Sequence, residues 1–129
     1  MVHALKLLSD WMEEGKIRIE KRPPAMVTYH DPCALARYCE DLGSPRKILS
    51  ALFEGGIREI ATHKRMANCC GEGGMLPVYR PDLSKRVFRL RLEEAQETGA
   101  TLLATGCPRC QDAFTRAIDP ARGDSRWSI

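Results

Sequence analysis

The sequence predicts an α/β fold, a small parallel sheet flanked by helices, with a cysteine site at the carboxyl ends of the strands. Three observations predict it. Short runs of β-forming residues alternate with amphipathic stretches at helical spacing. Proline or glycine signals punctuate the boundaries between them. Cys33 and Cys107 each follow directly after a predicted strand, where ligands bind in sheets of this kind.

The elements follow in order. Leu5, Leu8 and Met12 recur at helical spacing, widened by Leu7 and Trp11, and predict a first helix that Gly15 ends. Residues 16–20 alternate around Ile17 and Ile19 and predict a short edge strand. Pro23 and Pro24 break what precedes them. Residues 26–30 predict a strand running into Asp31, Pro32 and Cys33. Asp31 is expected to cap a helix that starts at Pro32 and carries Ala34 to Tyr38. Ser44 and Pro45 open a second helix over 44–53, stopped by Gly55 and Gly56. Residues 57–60 predict a further strand, and 68–74 a tight glycine-rich loop.

Pro81 and Asp82 open the longest helix. Its buried face is expected to hold Leu83, Val87 and Leu90 with Phe88, Leu92 and Ala95, and Gly99 ends it. Residues 101–105 predict a last strand, 106–108 a strand-to-helix turn, and 111–118 a final helix. The expected organisation is one domain over 1–118 and a loose polar tail over 119–129, with Trp127 and Ile129 available to dock.

The 129 residues suit a single globular domain, and 43% hydrophobic with 29% charged residues is ordinary for one. The formal charge of +3 is mild, and charges of both signs are interspersed, as in Arg89, Arg91, Glu93 and Glu94. No basic stripe interleaves with aromatics, so nucleic-acid binding is not expected. No apolar stretch is long enough to span a bilayer, and the N-terminus lacks the order of a signal peptide. A cytoplasmic location is expected, at most peripheral to a membrane-bound complex. In a reducing compartment, grouped cysteines point to metal or redox chemistry rather than disulfides.

The cysteines fall in three groups: Cys33, the pair Cys69 and Cys70, and Cys107 with Cys110 in a CxxC. A CxxC at a helix start places both thiols near unpaired N–H groups and positive dipole, which favours thiolates. Successive side chains point apart, so adjacent Cys69 and Cys70 suit a polynuclear centre better than one mononuclear ion. Gly71, Gly73 and Gly74 let backbone come close and offer N–H groups to sulfur. These residues leave an iron–sulfur centre first, structural zinc on four of the five thiols second, and inert buried thiols third. A metal-free thiol–disulfide pair at Cys107 and Cys110 is a further option. Cys39 reads as a core or surface thiol.

His30 beside Asp31 is the candidate catalytic group, as a proton carrier, against the plainer reading of a hydrogen-bonded residue packed at the rim. Arg109 is expected either to steady an anionic cofactor or substrate, or to sit in solvent. Lys64 and Arg65 read as a solvated face, and Met75 as packing.

Taken together, residues 28–33, 69–75 and 107–110 resemble the cysteine-rich CCG domain. That domain occurs in the catalytic subunit of heterodisulfide reductases and in iron–sulfur subunits of glycolate-, lactate- and glycerol-3-phosphate-oxidising enzymes. The resemblance implies a non-cubane [4Fe–4S] cluster held by Cys33, Cys69, Cys70, Cys107 and Cys110, and reductive cleavage of a disulfide. Other members of the family carry zinc or lack a ligand; here all five cysteines are present, which favours the cluster. Members usually hold two such domains in tandem. A second CCG domain or other redox subunits are therefore the expected partners.

Overall fold

A computed structural model describes residues 2–20 and 22–118. In chain order the elements are α1 (Ala4–Glu13), β1 (Val27–His30), a π-helical turn (Ala34–Tyr38), α2 (Ser44–Leu52), β2 (Ile57–Arg58), a 3-10 turn (Lys64–Met66), α3 (Leu76–Tyr79), α4 (Pro81–Gln96), β3 (Leu102–Thr105) and α5 (Pro108–Ala117). The three strands are parallel in the order β2-β1-β3. The expected α/β architecture is the one observed.

Central β1 is buried along its whole length, as a strand covered on both faces must be. Its side chains alternate between the faces. Val27 and Tyr29 pack with Leu49 of α2, beside Leu102 and Ala104 of β3. His30 emerges on the other face, edge-on to Phe114 of α5. There Leu103 joins Phe88, Leu92 and Ala95 of α4 and Cys110, Ala113 and Phe114 of α5. Register pairs His30 with Thr105, so β1 and β3 end side by side. Cys33 follows β1 by three residues and Cys107 follows β3 by two.

Several sequence expectations change. Residues 16–20 form no strand, and Ser9 is the most buried residue of α1 while Leu7, Leu8 and Trp11 stay more than one third exposed. Asp31 caps no helix. Its carboxylate accepts from Arg46 Nη1 and Nη2, at 2.8 and 2.9 Å, and from the Lys64 N–H at 2.7 Å, a tighter set of partners than one helix terminus offers. Instead of an α-helix, Cys33 leads into the π-helical turn, where the Cys39 N–H donates to the Ala34 carbonyl. The strand expected over 57–60 is reduced to two residues, and α5 begins at Pro108, earlier than expected. The tail over 119–129, with Trp127 and Ile129, lies outside the described residues.

The buried stripe of α4 is also rotated. Ser84, Phe88, Arg91, Leu92 and Ala95 face inward, whereas Leu83 and Leu90 are 40% and 61% exposed. Polar contacts set the phase: the Ser84 hydroxyl donates to the Gly71 carbonyl, and Arg91 reaches β1. Two glycines are required by close approach. A Cβ at Gly71, where φ is +80°, would lie 2.8 Å from the Ser84 carbonyl oxygen, and one at Gly55 would lie 2.5 Å from the Ala25 carbonyl oxygen.

Asp31 is the clearest energetic anchor. Burial alone would raise its pKa, but the Arg46 hydrogen bonds and charge and the Lys64 N–H outweigh burial and hold it below the usual carboxylate value. A carboxylate depressed on folding stabilises the fold above its unfolded pKa of about 3.9, and that contribution is lost as pH falls through the folded value. Asp31→Asn should lower the unfolding free energy in urea at pH 7 by about 2–4 kcal/mol, since Arg46 loses a largely buried partner. The difference between variant and wild type should shrink below pH 4. A difference that stays constant from pH 7 to pH 3 would contradict this assignment.

Candidate metal centre

Cysteines from three separate segments come near His30 at the end of β1: Cys33, Cys69 and Cys70 line a cleft with it, and the Cys70 and Cys110 sulfurs lie within 4.8 Å of a ring nitrogen. Cys107 heads α5 in extended conformation, and Pro108 follows without losing a donor the helix needs. Cys110 is therefore in the first helical turn, buried at 3% exposure. Its Sγ lies 3.1 Å from Cys70 Sγ. That is far beyond a disulfide bond of about 2.05 Å, and both thiols are free. Cys107 packs partly buried against the same cluster. Cys33, Cys69 and Cys70 line one narrow cleft, with His30, Asp31, Arg37 and Lys64 on its walls. Cys39 stays exposed at the end of the π-helical turn.

The loop carrying Cys69 and Cys70 is fastened on several sides. Arg37, from the turn after Cys33, donates to the Ala67 carbonyl at 2.8 Å. Asn68 donates to Glu94 of α4 at 2.5 Å. Glu72, 9% exposed, pairs with Arg116 of α5 at 2.9 Å and with Arg109 at 3.9 Å. Arg109 is thus turned toward a carboxylate and otherwise largely exposed. The Gly71 N–H donates to Cys69 Sγ at 3.3 Å, the kind of N–H···S contact expected of this loop. An added Cβ at Gly73 or Gly74 would meet nothing within 4 Å, and Met75 is 56% exposed rather than packed.

Arg91 is the residue that sequence reasoning missed. It is fully buried, with Nε 2.9 Å from His30 Nδ1 and Nη1 on the Thr62 carbonyl, the Thr62 hydroxyl and the Glu94 carboxylate. Its place among alternating charges, between apolar Leu90 and Leu92, gave it the look of a surface arginine. The one available signal was its spacing of three from Phe88 and four from Ala95.

The electrostatics suit a cation. The Cys110 sulfur, with burial, pushes the Cys70 thiol up to about 11. The hydrogen bond to Cys70, then burial, pushes the Cys69 thiol well above its ordinary value. Thiols this crowded resist ionising together, and a cation among them reverses that balance. Soft sulfur donors select zinc or iron–sulfur centres over hard cations. His30, Cys70 and Cys110 also bring their ligand atoms within 4.8 Å of one another. Burial, then the Arg91 charge, lowers the His30 pKa to about 3. That direction favours a neutral ring, held between Arg91 and Phe114.

The family model for the CCG cysteine-rich domain matches residues 27–115. This chain belongs to the CCG cysteine-rich domain family. The matched residues of the CCG domain include Cys33, Cys69, Cys70, Cys107 and Cys110. Among relatives, a dihydromethanophenazine:CoB–CoM heterodisulfide reductase polypeptide of Methanosarcina barkeri is 32% identical over 96% of this chain, and its counterpart in Methanosarcina mazei is 36% identical over the same share. The "probable iron-sulfur-binding oxidoreductase FadF" of Bacillus subtilis is 31% identical over 84% of this chain. The CCG chain spans 30% of the length of the two Methanosarcina proteins and 15% of the Bacillus one.

Raised thiol pKa values have a measurable consequence in this CCG domain. Between pH 6 and 8 the Cys69 and Cys70 thiols hold their protons, and a thiophilic ion must displace both. The logarithm of the affinity for Cd²⁺, titrated anaerobically through its thiolate absorption, should rise by about two or more per pH unit. A slope below one would mean that these two thiols do not bind the ion.

Proposed function

We propose that this chain is an iron–sulfur electron-transfer module of a larger oxidoreductase, with Cys33, Cys69, Cys70, Cys107 and Cys110 as the ligands. The observation that carries the reading is convergence. Cys70 touches Cys110, Cys107 begins the same helix, and Cys33 and Cys69 share the cleft wall with Cys70. The names of the relatives support it, since the iron–sulfur and heterodisulfide reductase descriptions belong to proteins that this CCG domain resembles along most of its length.

A thiolate-held iron–sulfur centre supplies one-electron transfer. The chain's own residues prepare the site for it. Helix α5 directs its N-terminal N–H groups and positive dipole end toward thiolate charge. The Gly71 N–H is already aimed at Cys69 sulfur, and N–H···S bonds of this sort tune potential. Asp31 and Arg46 hold the strand end from which Cys33 departs, while Glu72, Arg116 and Arg109 hold the glycine loop against α5.

The finer reading is a non-cubane [4Fe–4S] centre that cleaves a disulfide, as the heterodisulfide reductase relatives suggest. The proposed partners are other redox subunits or a second CCG domain. Exposed Val78, Tyr79 and Leu90 on α3 and α4 favour a docked partner. Among the described residues no helix is long and apolar enough to cross a membrane; the location proposed is cytoplasmic, peripheral to a membrane-bound complex at most. A second reading is a zinc-stabilised docking module without electron transfer, favoured by the closeness of His30, Cys70 and Cys110.

Iron and acid-labile sulfide measured after anaerobic reconstitution separate the two. The first reading predicts both in near-equal amounts and several atoms of each per chain, with visible absorption that bleaches reversibly on reduction. Serine at Cys70 or Cys110 should abolish most of the iron. Stoichiometric zinc with no iron uptake would overturn it.

A further inference from the structure

We infer that Arg91 fixes His30 as the Nε2–H tautomer, so that the imidazole serves the sulfur site as a hydrogen-bond donor and not as a ligand. A guanidinium carries only donors. Arg91 Nε lies 2.9 Å from His30 Nδ1, in geometry that directs its N–H at that nitrogen. Nδ1 must therefore present its lone pair. A proton on Nδ1 would set two N–H groups head to head, in a place where Arg91 has no solvent exposure and His30 has 1%. The ring proton then resides on Nε2.

Both lone pairs are thereby committed. Nδ1 gives its own to Arg91, and Nε2 uses its own to hold hydrogen. Neither is left for a metal ion, although a His30 ring nitrogen lies within 4.8 Å of Cys70 and Cys110 sulfur. What the ring retains is the Nε2–H, in a buried setting where an unpaired donor is costly. Sulfur is the acceptor at hand. The ring has little freedom to turn away, because Phe114 packs on it edge to face at 5.2 Å.

Arg91 is itself held for this task. Nη1 is spent on Thr62 and Glu94, which fixes the guanidinium plane and sets the direction of Nε. Its Nη2 has no partner among the described residues. A buried cation with an unspent donor, close to a thiol cluster, favours negative charge there. Arg91 is a positioning residue acting through His30. The tautomer follows from the geometry alone, whereas the donor role rests on the thiolate centre proposed above.

Two measurements on the full chain test the two parts separately. The first is ¹⁵N NMR of histidine-labelled protein without metal at neutral pH. It should give His30 Nδ1 the shift of an unprotonated ring nitrogen and Nε2 that of a protonated one. Protonated Nδ1 overturns the assignment, and no variant is needed to see it. The second uses anaerobically reconstituted protein. Pulsed EPR should detect only weak coupling to labelled His30 nitrogen, and His30→Phe should retain iron and shift the midpoint potential to a more negative value. Arg91→Lys should shift it by less than His30→Phe. Strong coupling of a directly bonded nitrogen, or an unchanged potential in His30→Phe, overturns the donor role. Failure of the chain to take up iron would remove the thiolate centre, while the first measurement would still decide the tautomer.

Discussion

The structure depends on one buried cation. Arg91 has no solvent exposure, and desolvating a guanidinium is tolerable only when strong partners receive it. Those partners come from parts of the chain far apart in sequence: His30 at the end of β1, Thr62 after β2, and Glu94 one turn along α4. Glu94 in turn accepts from Asn68, the residue before Cys69. A single side chain thus ties the central strand, the longest helix and the double-cysteine loop into one arrangement. Breaking it leaves a charge in the core, so the arrangement is defended by the penalty of leaving it as much as by the strength of its bonds.

A second set of ion pairs completes the frame on the other flank. Asp31 and Arg46, with Glu59 on the same guanidinium, hold the departure of the chain from β1 toward Cys33. Glu72 with Arg116 holds the glycine loop to α5. Both pairs are partly sheltered, where they contribute more than exposed pairs do. The exposed pairs Lys6–Asp10 and Lys47–Glu13 contribute little by comparison. The strong polar contacts therefore concentrate around the thiols. That is the distribution expected of a site whose geometry must be kept when charge on it changes.

The sheet, the order of its helices and the grouping of the cysteines were legible because each has a local signal. Hydrophobic runs marked β1 and β3, proline marked the starts of α2 and α4, and the CxxC lay at a strand-to-helix turn. What was not legible was decided by contacts distant in sequence. The stripe of α4 has two near-equal candidates one residue apart, and only the pull of Gly71 on Ser84 and of His30 on Arg91 chooses between them. Asp31 next to a proline looks like a helix cap until Arg46, fifteen positions later, claims both its oxygens. Residues 16–20 alternate like a strand but find no edge to join. At the site, the grouping of the cysteines stands in the sequence itself, whereas the histidine's partner was not legible, since nothing local distinguishes a buried arginine from a surface one.

The central claim is that thiols from three distant segments hold one polynuclear centre. Anomalous diffraction at the iron edge, from crystals of the full chain loaded with iron and sulfide under anaerobic conditions, tests it most directly. The account predicts several iron positions grouped between the turn after β1, the loop of Cys69 and Cys70, and the first turn of α5, with sulfur from all three segments in bonding contact and His30 nitrogen outside it. Iron bound elsewhere, or a lone metal ion coordinated by His30, would contradict it.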